Sequence, residues 1–301
     1  MIQRSNPVVF FGSGPVAAKS LELLLAHQDV AAVITKPSTF EAMRQIVSSD
    51  CSVYTATNKA ELDELIASAS LTSIAGVLVD FGIIVSQNVI DYFSRGIINS
   101  HFSLLPKWRG ADPISFAILS GDKETGVSLM QLTAGMDEGP VIAQGPLTIR
   151  TDHTNETLTQ ELIELSDELM QNFLPEYLAG SLTTISQTEA ANLLGIDPKP
   201  TYSRKLTKED GLIDWTKPAE VIEREVRAFH SWPKSYTKLN GTDLIIREVR
   251  VRQKSGPPGT YIFDKKSLVI YCGQDALEII SLQPSGKKEM PVQAFLAGYK
   301  L

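Results

Sequence analysis

Short apolar runs alternate with stretches of helical periodicity through the first hundred residues. The apolar runs cover residues 7–11, 30–35, 74–79 and 97–98. Helical spacing of apolar residues starts at about Val16 and recurs over Glu41–Val47, Lys59–Ser68 and Gln87–Phe93. Four strand–helix alternations of this kind predict an α/β fold with a Rossmann-like, doubly wound and mostly parallel sheet.

The carboxyl ends of these strands are the expected place for a ligand, because doubly wound sheets bind ligands beyond that edge. The strand ends fall at Gly12, Asp80 and Asn99. The turn that begins at Gly12 lacks the third glycine of the dinucleotide fingerprint, and Lys19 stands near the place where that glycine is needed. We therefore expect a site at this edge but no nicotinamide cofactor.

Asn99 and His101 are two residues apart where the fourth strand ends, so an extended chain points both side chains to the same face. Asp137 follows later between Gly135 and Gly139. Taken singly, each of the three also suits a turn or a buried polar position. Together, an amide donor, an imidazole and a fixed carboxylate are the groups needed for acyl transfer to an amine.

The next part of the chain predicts a hairpin and two helices. A helix begins at Asp112-Pro113 and runs to about Ser120. Strands over Thr125–Leu132 and Val141–Ile149 are expected to pair, with Asp137 in the turn between them. A long helix is predicted over Thr157–Leu174, and Pro175 should end or kink it.

The last hundred residues have a different pattern. After a polar, proline-containing linker at 187–204, a helix at about 219–229 precedes short β-rich runs near 236–252, 258–263, 267–272 and 276–283. Evenly spaced short strands predict a small OB-like β-barrel. The predicted domains are thus 1–186 and 205–301.

Charge is distributed unevenly between these parts. The net charge of −7 combines +5 for residues 201–301, with 17 basic and 12 acidic residues, and −12 for the first 200. The basic half fits an acidic partner such as a nucleic acid, although ordinary variation between domains explains the difference equally well.

Cysteine usage and hydropathy bear on the compartment. Cys51 and Cys272 are far apart and share no metal-ligand spacing, so we expect reduced thiols and no metal site. The longest apolar stretch, residues 74–85, is too short to span a bilayer, and no secretory signal is visible. We expect a cytoplasmic protein without membrane contact.

Two motifs carry a family resemblance. Asn-x-His-x-Ser-Leu-Leu-Pro at residues 99–106, followed by Met-Asp-x-Gly-Pro at 136–140, resembles the signature of formyltransferases that use 10-formyltetrahydrofolate. Within that family, the chain is similar to the methionyl-tRNA formyltransferases at residues 105–114, 200–206, 213–215, 226–233 and 282–290. The resemblance covers nearly the whole chain and both predicted domains.

This resemblance implies Asn99, His101 and Asp137 as the catalytic residues. It implies a folate site made of Ser103, Leu104, Leu105 and Pro106, with Phe81 and Gly82 lining the pterin pocket. It further implies 10-formyltetrahydrofolate as co-substrate, tetrahydrofolate as product, initiator methionyl-tRNA as acceptor, and no metal. We expect a monomer.

The chain departs from the family pattern at two places. The family commonly carries a longer loop rich in Lys, Arg and Gly after the second strand, whereas residues 36–48 hold only Lys36 and Arg44 as basic residues. Asp80 and Phe81 stand where Ala-Tyr is common. The sequence therefore leaves open how an RNA acceptor is captured.

Three other functions stay open at this point. A formyltransferase acting on a nucleotide-linked amino sugar shares parts of the second domain. A formyltetrahydrofolate hydrolase uses the same three residues with water as acceptor, but has no need of the basic second domain. A non-enzymatic RNA-binding protein explains the barrel and leaves the three polar residues unexplained.

Overall fold

The computed structural model describes residues 6–299, which form two compact units. The first unit comprises the chain up to Pro113 together with residues 124–148 and 159–203. The second comprises residues 114–123, residues 149–158 and the chain from Arg204 on. The domain limits expected from the sequence stay a prediction.

The first unit is an α/β structure. Its strands are β1 (Val8–Gly12), β2 (Val30–Thr35), β3 (Ser52–Thr55), β4 (Ala75–Val79), β5 (Ile97–His101), β6 (Arg109–Gly110), β7 (Glu124–Gln131), β8 (Val141–Thr148) and β9 (Tyr202–Ser203). The helices up to residue 203 are α1 (Gly14–Leu24), α2 (Phe40–Ile46), α3 (Lys59–Ser68), α4 (Gln87–Tyr92), α5 (Pro113–Ser120), α6 (Asn155–Ala179) and α7 (Gln187–Leu194).

Seven strands form the main sheet in the order β3-β2-β1-β4-β5-β7-β8. The first five are parallel, and β7 and β8 extend the sheet in antiparallel pairing. The doubly wound, mostly parallel prediction is confirmed. Strand order reverses between β1 and β4, so the topological switch point of the sheet, where such folds bind ligands, lies between the ends of these two strands.

Strand β3 was not expected from the sequence. It is a four-residue edge strand of Ser-Val-Tyr-Thr with no fully buried residue. An edge strand buries little side-chain area, so it lacks the continuous apolar run that marked its neighbours.

The core of the first unit lies against both faces of the parallel strands. Every residue of β1 and β5 is buried. On one face, the Phe11 ring meets those of Phe81 and Phe93 edge to face, with centroids 5.7 and 5.9 Å apart. Phe81 therefore stabilises the end of β4 from inside the core.

The predicted hairpin of β7 and β8 is confirmed, with Asp137 in its connection. Gly126 pairs with Pro146, and Val127 with Gly145. On its other side β7 pairs with β5, where Met130 is opposite Asn99. The hairpin thus brings the loop that carries Asp137 to the strand that carries Asn99.

Pro175, which was expected to end or kink the long helix, does not end it: α6 continues to Ala179. Leu174, Tyr177 and Leu178 are buried, and the Tyr177 hydroxyl donates a hydrogen bond to the Arg95 carbonyl at 2.6 Å. Tertiary packing of this last turn compensates for the backbone donor that proline lacks.

The segment 187–204, expected as a linker, is largely folded. It contains α7, capped by the Ser186 side chain and ended by left-handed Gly195, and the short strand β9. The buried face of α7 is only Gln187, Ala190 and Ala191, too small and too polar to stand out as an amphipathic helix in the sequence.

The second unit contains a curled antiparallel sheet, a half-barrel in keeping with the OB-like prediction. Its strands are β10 (Ser235–Leu239), β11 (Thr242–Arg252), β12 (Tyr261–Phe263), β13 (Leu268–Tyr271), β14 (Ala276–Pro284) and β15 (Met290–Pro291). The sheet order is β10-β11-β14-β13-β12, with β15 paired to β14. Helices α8 (Ala219–Ala228) and α9 (Val292–Gly298) contribute Ile222, Val226 and Phe295 to its core.

Helices that could cross a membrane are not found among residues 6–299, because none combines the necessary length with sufficient apolar character.

We predict that Gly126→Ala destabilises the hairpin that carries the Asp137 loop. A Cβ at Gly126 would stand 2.1 Å from the Gly145 carbonyl oxygen and 2.6 Å from Leu104 Cδ2. The backbone oxygen cannot move away without breaking the pairing, so the free energy of unfolding should fall by about 1–3 kcal/mol or more. Urea denaturation measures it.

Gly298→Ala is the matched control, since a Cβ there meets no atom within 4 Å. Its unfolding free energy should stay within about 0.5 kcal/mol of the wild type. Equal stability of the two variants would contradict the pairing of β7 with β8.

Candidate active site

Strand β5 places the amide of Asn99 and the imidazole of His101 on one face at the carboxyl end of the sheet. Their relative exposures are 8% and 6%. The sequence placed the end of this strand at Asn99, but the regular strand continues through His101. Both side chains are therefore held by strand pairing to β4 or β7 rather than by a loop.

The His101 ring is oriented by one backbone group. Its Nε2 lies 3.0 Å from the Trp108 carbonyl oxygen. Because a carbonyl oxygen can only accept, Nε2 carries the hydrogen. In the neutral ring, Nδ1 then has a free lone pair, and it faces the Asp137 carboxylate at 3.8 Å.

Asp137 meets both residues of β5. Its Oδ2 accepts a hydrogen bond from the Gly110 backbone N–H at 2.7 Å, and its Oδ1 accepts one from Asn99 Nδ2 at 3.4 Å. The three side chains expected from the sequence are thus brought together. Asn99 keeps a second N–H that this contact does not use.

A buried glutamine holds the Asp137 loop in place. Gln187 donates hydrogen bonds to the carbonyl oxygens of Asp137 at 2.7 Å and Gly139 at 2.9 Å. Its own Oε1 accepts two from the Arg109 guanidinium, at 2.8 and 3.1 Å. Sequence reasoning missed Gln187, because a glutamine in a polar segment gives no signal of burial.

The backbone around Gly110, whose N–H binds Asp137, is held by the same segment 187–204 that contains Gln187. Strand β6, which contains Gly110, pairs in parallel with β9. The Thr201 hydroxyl accepts from the Trp108 N–H at 2.9 Å. The stretch expected as a linker therefore fixes both the carboxylate loop and the backbone amide that binds it.

Four non-glycine residues around this edge have left-handed backbone: Asp80, Trp108, Asp112 and Asp137, with φ of 45°, 57°, 56° and 50°. Such a conformation is costly for a residue with a side chain and persists where surrounding contacts enforce it. They cluster at the carboxyl ends of the strands, the edge where doubly wound sheets bind ligands.

Asp80, at the end of β4, is the group here whose acidity is most altered. Neighbouring atoms displace water from its carboxylate although part of the residue is exposed, and this burial raises its pKa to about 6. The Lys36 charge opposes the shift, and the Asp112 charge adds to it. Sequence reasoning placed Asp80 at the rim but assigned it no role.

The residues expected to bind folate form a tightly bonded turn after β5. Ser103, Leu104 and Leu105 are at most 3% exposed. The Ser103 hydroxyl donates to the Lys107 carbonyl at 2.5 Å, and Ser128 Oγ bridges the Ser103 carbonyl and the Leu105 N–H at 2.6 and 3.0 Å. Pro106 follows in the same turn and is buried.

The expected pterin-pocket residues lie at the next strand end. Phe81 is 1% exposed and belongs to the core, whereas Gly82 is exposed. A Cβ on Gly82 would stand 2.7 Å from Lys36 Nζ, and its φ of 65° is left-handed. Their role in folate binding stays a prediction.

No group of three or more His, Cys, Asp or Glu residues in the described part of the chain is placed to hold a metal ion. The chemistry available at this edge is that of an amide donor, an imidazole and a carboxylate within one hydrogen-bonded set.

Two family models match the chain. Residues 6–174 match the model described as formyl transferase, and residues 205–300 match the formyl transferase C-terminal domain. Together they span both parts of the sequence on either side of α7.

Curated relatives match over nearly the full length. The chain is 34% identical over 305 residues to the methionyl-tRNA formyltransferase of Myxococcus xanthus, covering 98% of this chain and 95% of that protein. It is 35% identical over 293 residues to the methionyl-tRNA formyltransferase of Ectopseudomonas mendocina, covering 93% and 91%.

Among solved structures, an N-formyltransferase from Helicobacter canadensis, in complex with folinic acid and dTDP-3-aminofucose, aligns with a TM-score of 0.67. The alignment covers 95% of this chain and 100% of that one at 19% identity. At this level of identity the likeness concerns the fold.

We predict that Gln187→Ala loosens the Asp137 loop without unfolding the unit. The variant leaves the carbonyls of Asp137 and Gly139 and the Arg109 guanidinium without their buried partner. The Gly110 amide should exchange its hydrogen about 10- to 100-fold faster, as expected for the loss of such buried contacts. Hydrogen exchange followed by NMR measures it.

Gln87→Ala, which changes an exposed glutamine on α4, is the control and should leave the exchange of Gly110 unchanged. The assignment of Gln187 would be wrong if the Gly110 amide were equally protected in both variants.

Proposed function

The chain belongs to the formyltransferase family in both its N-terminal and its C-terminal parts, and from this membership we propose its reaction. It transfers the formyl group of 10-formyltetrahydrofolate to the α-amino group of initiator methionyl-tRNA, which yields N-formylmethionyl-tRNA and tetrahydrofolate. The observation that carries the proposal is the meeting of Asn99, His101 and Asp137 at one strand edge, in a chain that matches methionyl-tRNA formyltransferases nearly end to end.

Asn99 stabilises the charge that develops on the formyl oxygen when the amine attacks. One N–H of its amide is directed to Asp137, and the other is free to donate to that oxygen. The co-substrate, 10-formyltetrahydrofolate, supplies an activated formyl group on N10. A single preorganised hydrogen-bond donor such as the Asn99 N–H stabilises the transition state by about 3–4 kcal/mol.

His101 and Asp137 handle the proton that the attacking nitrogen must lose. With Nε2 held by the Trp108 carbonyl, only Nδ1 is available for proton transfer, and it faces Asp137. The pair accepts the proton from the amine and returns it to N10 as the C–N10 bond breaks. General acid–base help of this kind is worth about 10²–10⁴-fold.

Capture of the RNA acceptor rests on the second unit rather than on the segment after β2. In that segment, Arg44 donates to the carbonyls of Ser48 and Cys51, and Lys36 lies against Gly82. Arg44 is thus bonded within the first unit, and the charge of Lys36 acts on the Asp80 carboxylate.

The second unit offers an exposed aromatic surface together with the basic residues. Trp232 is 55% exposed, and its indole donates to the Leu206 carbonyl at 3.4 Å. Lys205 and Lys208, which flank Leu206 in the chain, are exposed. An exposed aromatic ring beside lysines suits a nucleic-acid strand, since bases stack on the ring and phosphates meet the cations.

The proposal also includes the compartment and the assembly state: the protein acts as a monomer in the cytoplasm. Cys51 and Cys272 are both buried free thiols, which suits a reducing compartment.

One assay tests the reaction. The protein receives 10-formyltetrahydrofolate labelled in the formyl group, together with methionyl-tRNA, with a nucleotide-linked amino sugar, or with water alone. We expect label in methionyl-tRNA at a rate far above formate release. Transfer to the sugar amine alone, or release of formate alone, would replace the proposal by that function.

We predict that Asn99→Ala and Asp137→Ala each lose most of the turnover. Removing one such donor lowers kcat by about 10²–10³-fold, and removing the acid should have at least a comparable effect. Circular dichroism should show an intact fold, because neither side chain contributes to the apolar core.

Asn88→Ala, which changes an exposed amide on α4, is the control and should retain wild-type kcat. Near-wild-type turnover in either site variant would refute the catalytic assignment.

A further inference from the structure

A second carboxyl group, that of Asp80, borders the same edge and has no part in the mechanism above. In the parallel pairing of β4 with β5, Leu78 is opposite Asn99. This is the last recorded pair between the two strands; β4 ends at Val79, and Asp80 follows it directly, while β5 continues to His101. Asp80 also follows the strand next to β1, so it stands at the topological switch point where ligands of such sheets bind.

The Asp80 backbone is fixed on both sides. Its φ of 45° is left-handed, and its carbonyl accepts a hydrogen bond from the Ser13 N–H at 3.1 Å, in the turn before α1. Its Oδ2 lies 3.8 Å from the position that a Cβ on Gly14 would occupy. The backbone of Asp80 is therefore fixed, and its carboxylate lies beside the turn that opens α1.

The carboxylate itself is available to a ligand. Within residues 6–299 no group donates a hydrogen bond to it, and the residue retains exposed surface. The charged groups that face it are Lys36, at the end of β2, and Asp112, before α5. Asp112 follows Gly110, the donor to Asp137, by two residues, so Asp80 and Asp137 border the same edge.

Asp137 is poorly placed to take every proton that the acceptor must lose. The α-amino group of an aminoacyl ester is partly an ammonium ion near neutral pH, and only the neutral amine has the lone pair that attacks. Both oxygens of Asp137 are already engaged, with Gly110 and Asn99. A further carboxylate at the same sheet edge would serve the first deprotonation.

We propose that Asp80 binds the ammonium form of the acceptor's amino group and takes its first proton. The inference rests on the proposed function. The ammonium N–H bond breaks, its electron pair stays on nitrogen, and the proton moves to the Asp80 carboxylate, which later releases it to water. The neutral amine then attacks the formyl carbon, and its second proton follows the route through Asp137 and His101 to N10.

The acidity of Asp80 suits this role. A carboxyl group with a pKa of about 6 is ionised at neutral pH and yet is a far stronger base than an ordinary aspartate. Burial and the Asp112 charge raise the pKa, and the Lys36 charge lowers it. The wild-type kcat/KM for the acceptor should therefore fall as the pH drops through about 6 and Asp80 becomes protonated.

Binding tests the ammonium contact without turnover. The probes are a stable amide analogue of 3′-methionyl-adenosine with a free α-amino group and its desamino counterpart. Wild-type protein should bind the amine at least about tenfold more tightly at pH 7, as a hydrogen bond to a charged partner predicts. Asp80→Asn, which suits the left-handed backbone, should reduce that ratio to about one and leave the affinity for the desamino compound unchanged.

Kinetics test the proton step. For Asp80→Asn, kcat/KM for methionyl-tRNA should fall about tenfold or more at pH 6.5–7 and approach the wild-type value at pH 8.5, where an α-amino group is mostly neutral without help. The KM for the formyl donor should not change. Asp50→Asn, an exposed aspartate in the first unit, is the control.

Thermal stability separates this role from a structural one. The pKa of Asp80 is lower in the unfolded chain than in the folded protein, so above pH 6 the ionised carboxylate lowers the free energy of unfolding. Asp80→Asn should therefore be at least as stable as the wild type at pH 8. Equal affinity of wild-type protein for the two probes, or a loss of kcat/KM that is the same at every pH, overturns the assignment. If either overturning result is found while the wild type formylates methionyl-tRNA, only the role of Asp80 is refuted. If the wild type formylates no methionyl-tRNA, the proposed function is refuted as well.

Discussion

The hydrogen bond from the Gly110 N–H to the Asp137 carboxylate is the contact on which the site depends. It joins two segments 27 residues apart, one leaving the end of β5 and the other in the β7–β8 connection. With this bond in place, the carboxylate faces both Nδ1 of His101 and the amide of Asn99. Other parts of the first unit hold both partners of this hydrogen bond. Strand β9 pairs with β6, which contains Gly110, and Gln187 binds the backbone carbonyls of Asp137 and Gly139.

This arrangement is kept at a cost to stability. Asp80, Trp108, Asp112 and Asp137 all have left-handed backbone, which costs on the order of 1 kcal/mol or more for each residue. The core beneath them compensates: the strands are buried on both faces, and Phe11, Phe81 and Phe93 pack edge to face under the end of β4. A rigid sheet thus supports an edge whose residues would not adopt these conformations alone.

The two units divide the proposed reaction between chemistry and capture. The first carries the polar residues at its strand ends. Its short segment after β2 folds into α2, where Arg44 is bonded to backbone carbonyls, and Lys36 lies near Asp80. The second carries the excess of basic residues and the exposed Trp232. An acceptor that is both an amine and a polyanion requires both kinds of surface. Asp80, opposite the amine in our proposal, adds a negative group where the chain departs from the common Ala-Tyr.

The sequence alone determined the doubly wound sheet, the β-rich second part and the three polar residues, because apolar periodicity and short motifs are local properties. It also indicated the hairpin around Asp137. It did not reveal β3, whose edge position leaves no apolar run, nor the continuation of α6 past Pro175, which packing of Tyr177 sustains. Nor did it reveal Gln187 or the basicity of Asp80. Their roles come from neighbours distant in the chain: Arg109 and the Asp137 loop for the glutamine, and Lys36, Asp112 and the surrounding burial for the aspartate. Hydrogen bonding and desolvation depend on which atoms lie within a few ångströms, and only the tertiary structure decides that.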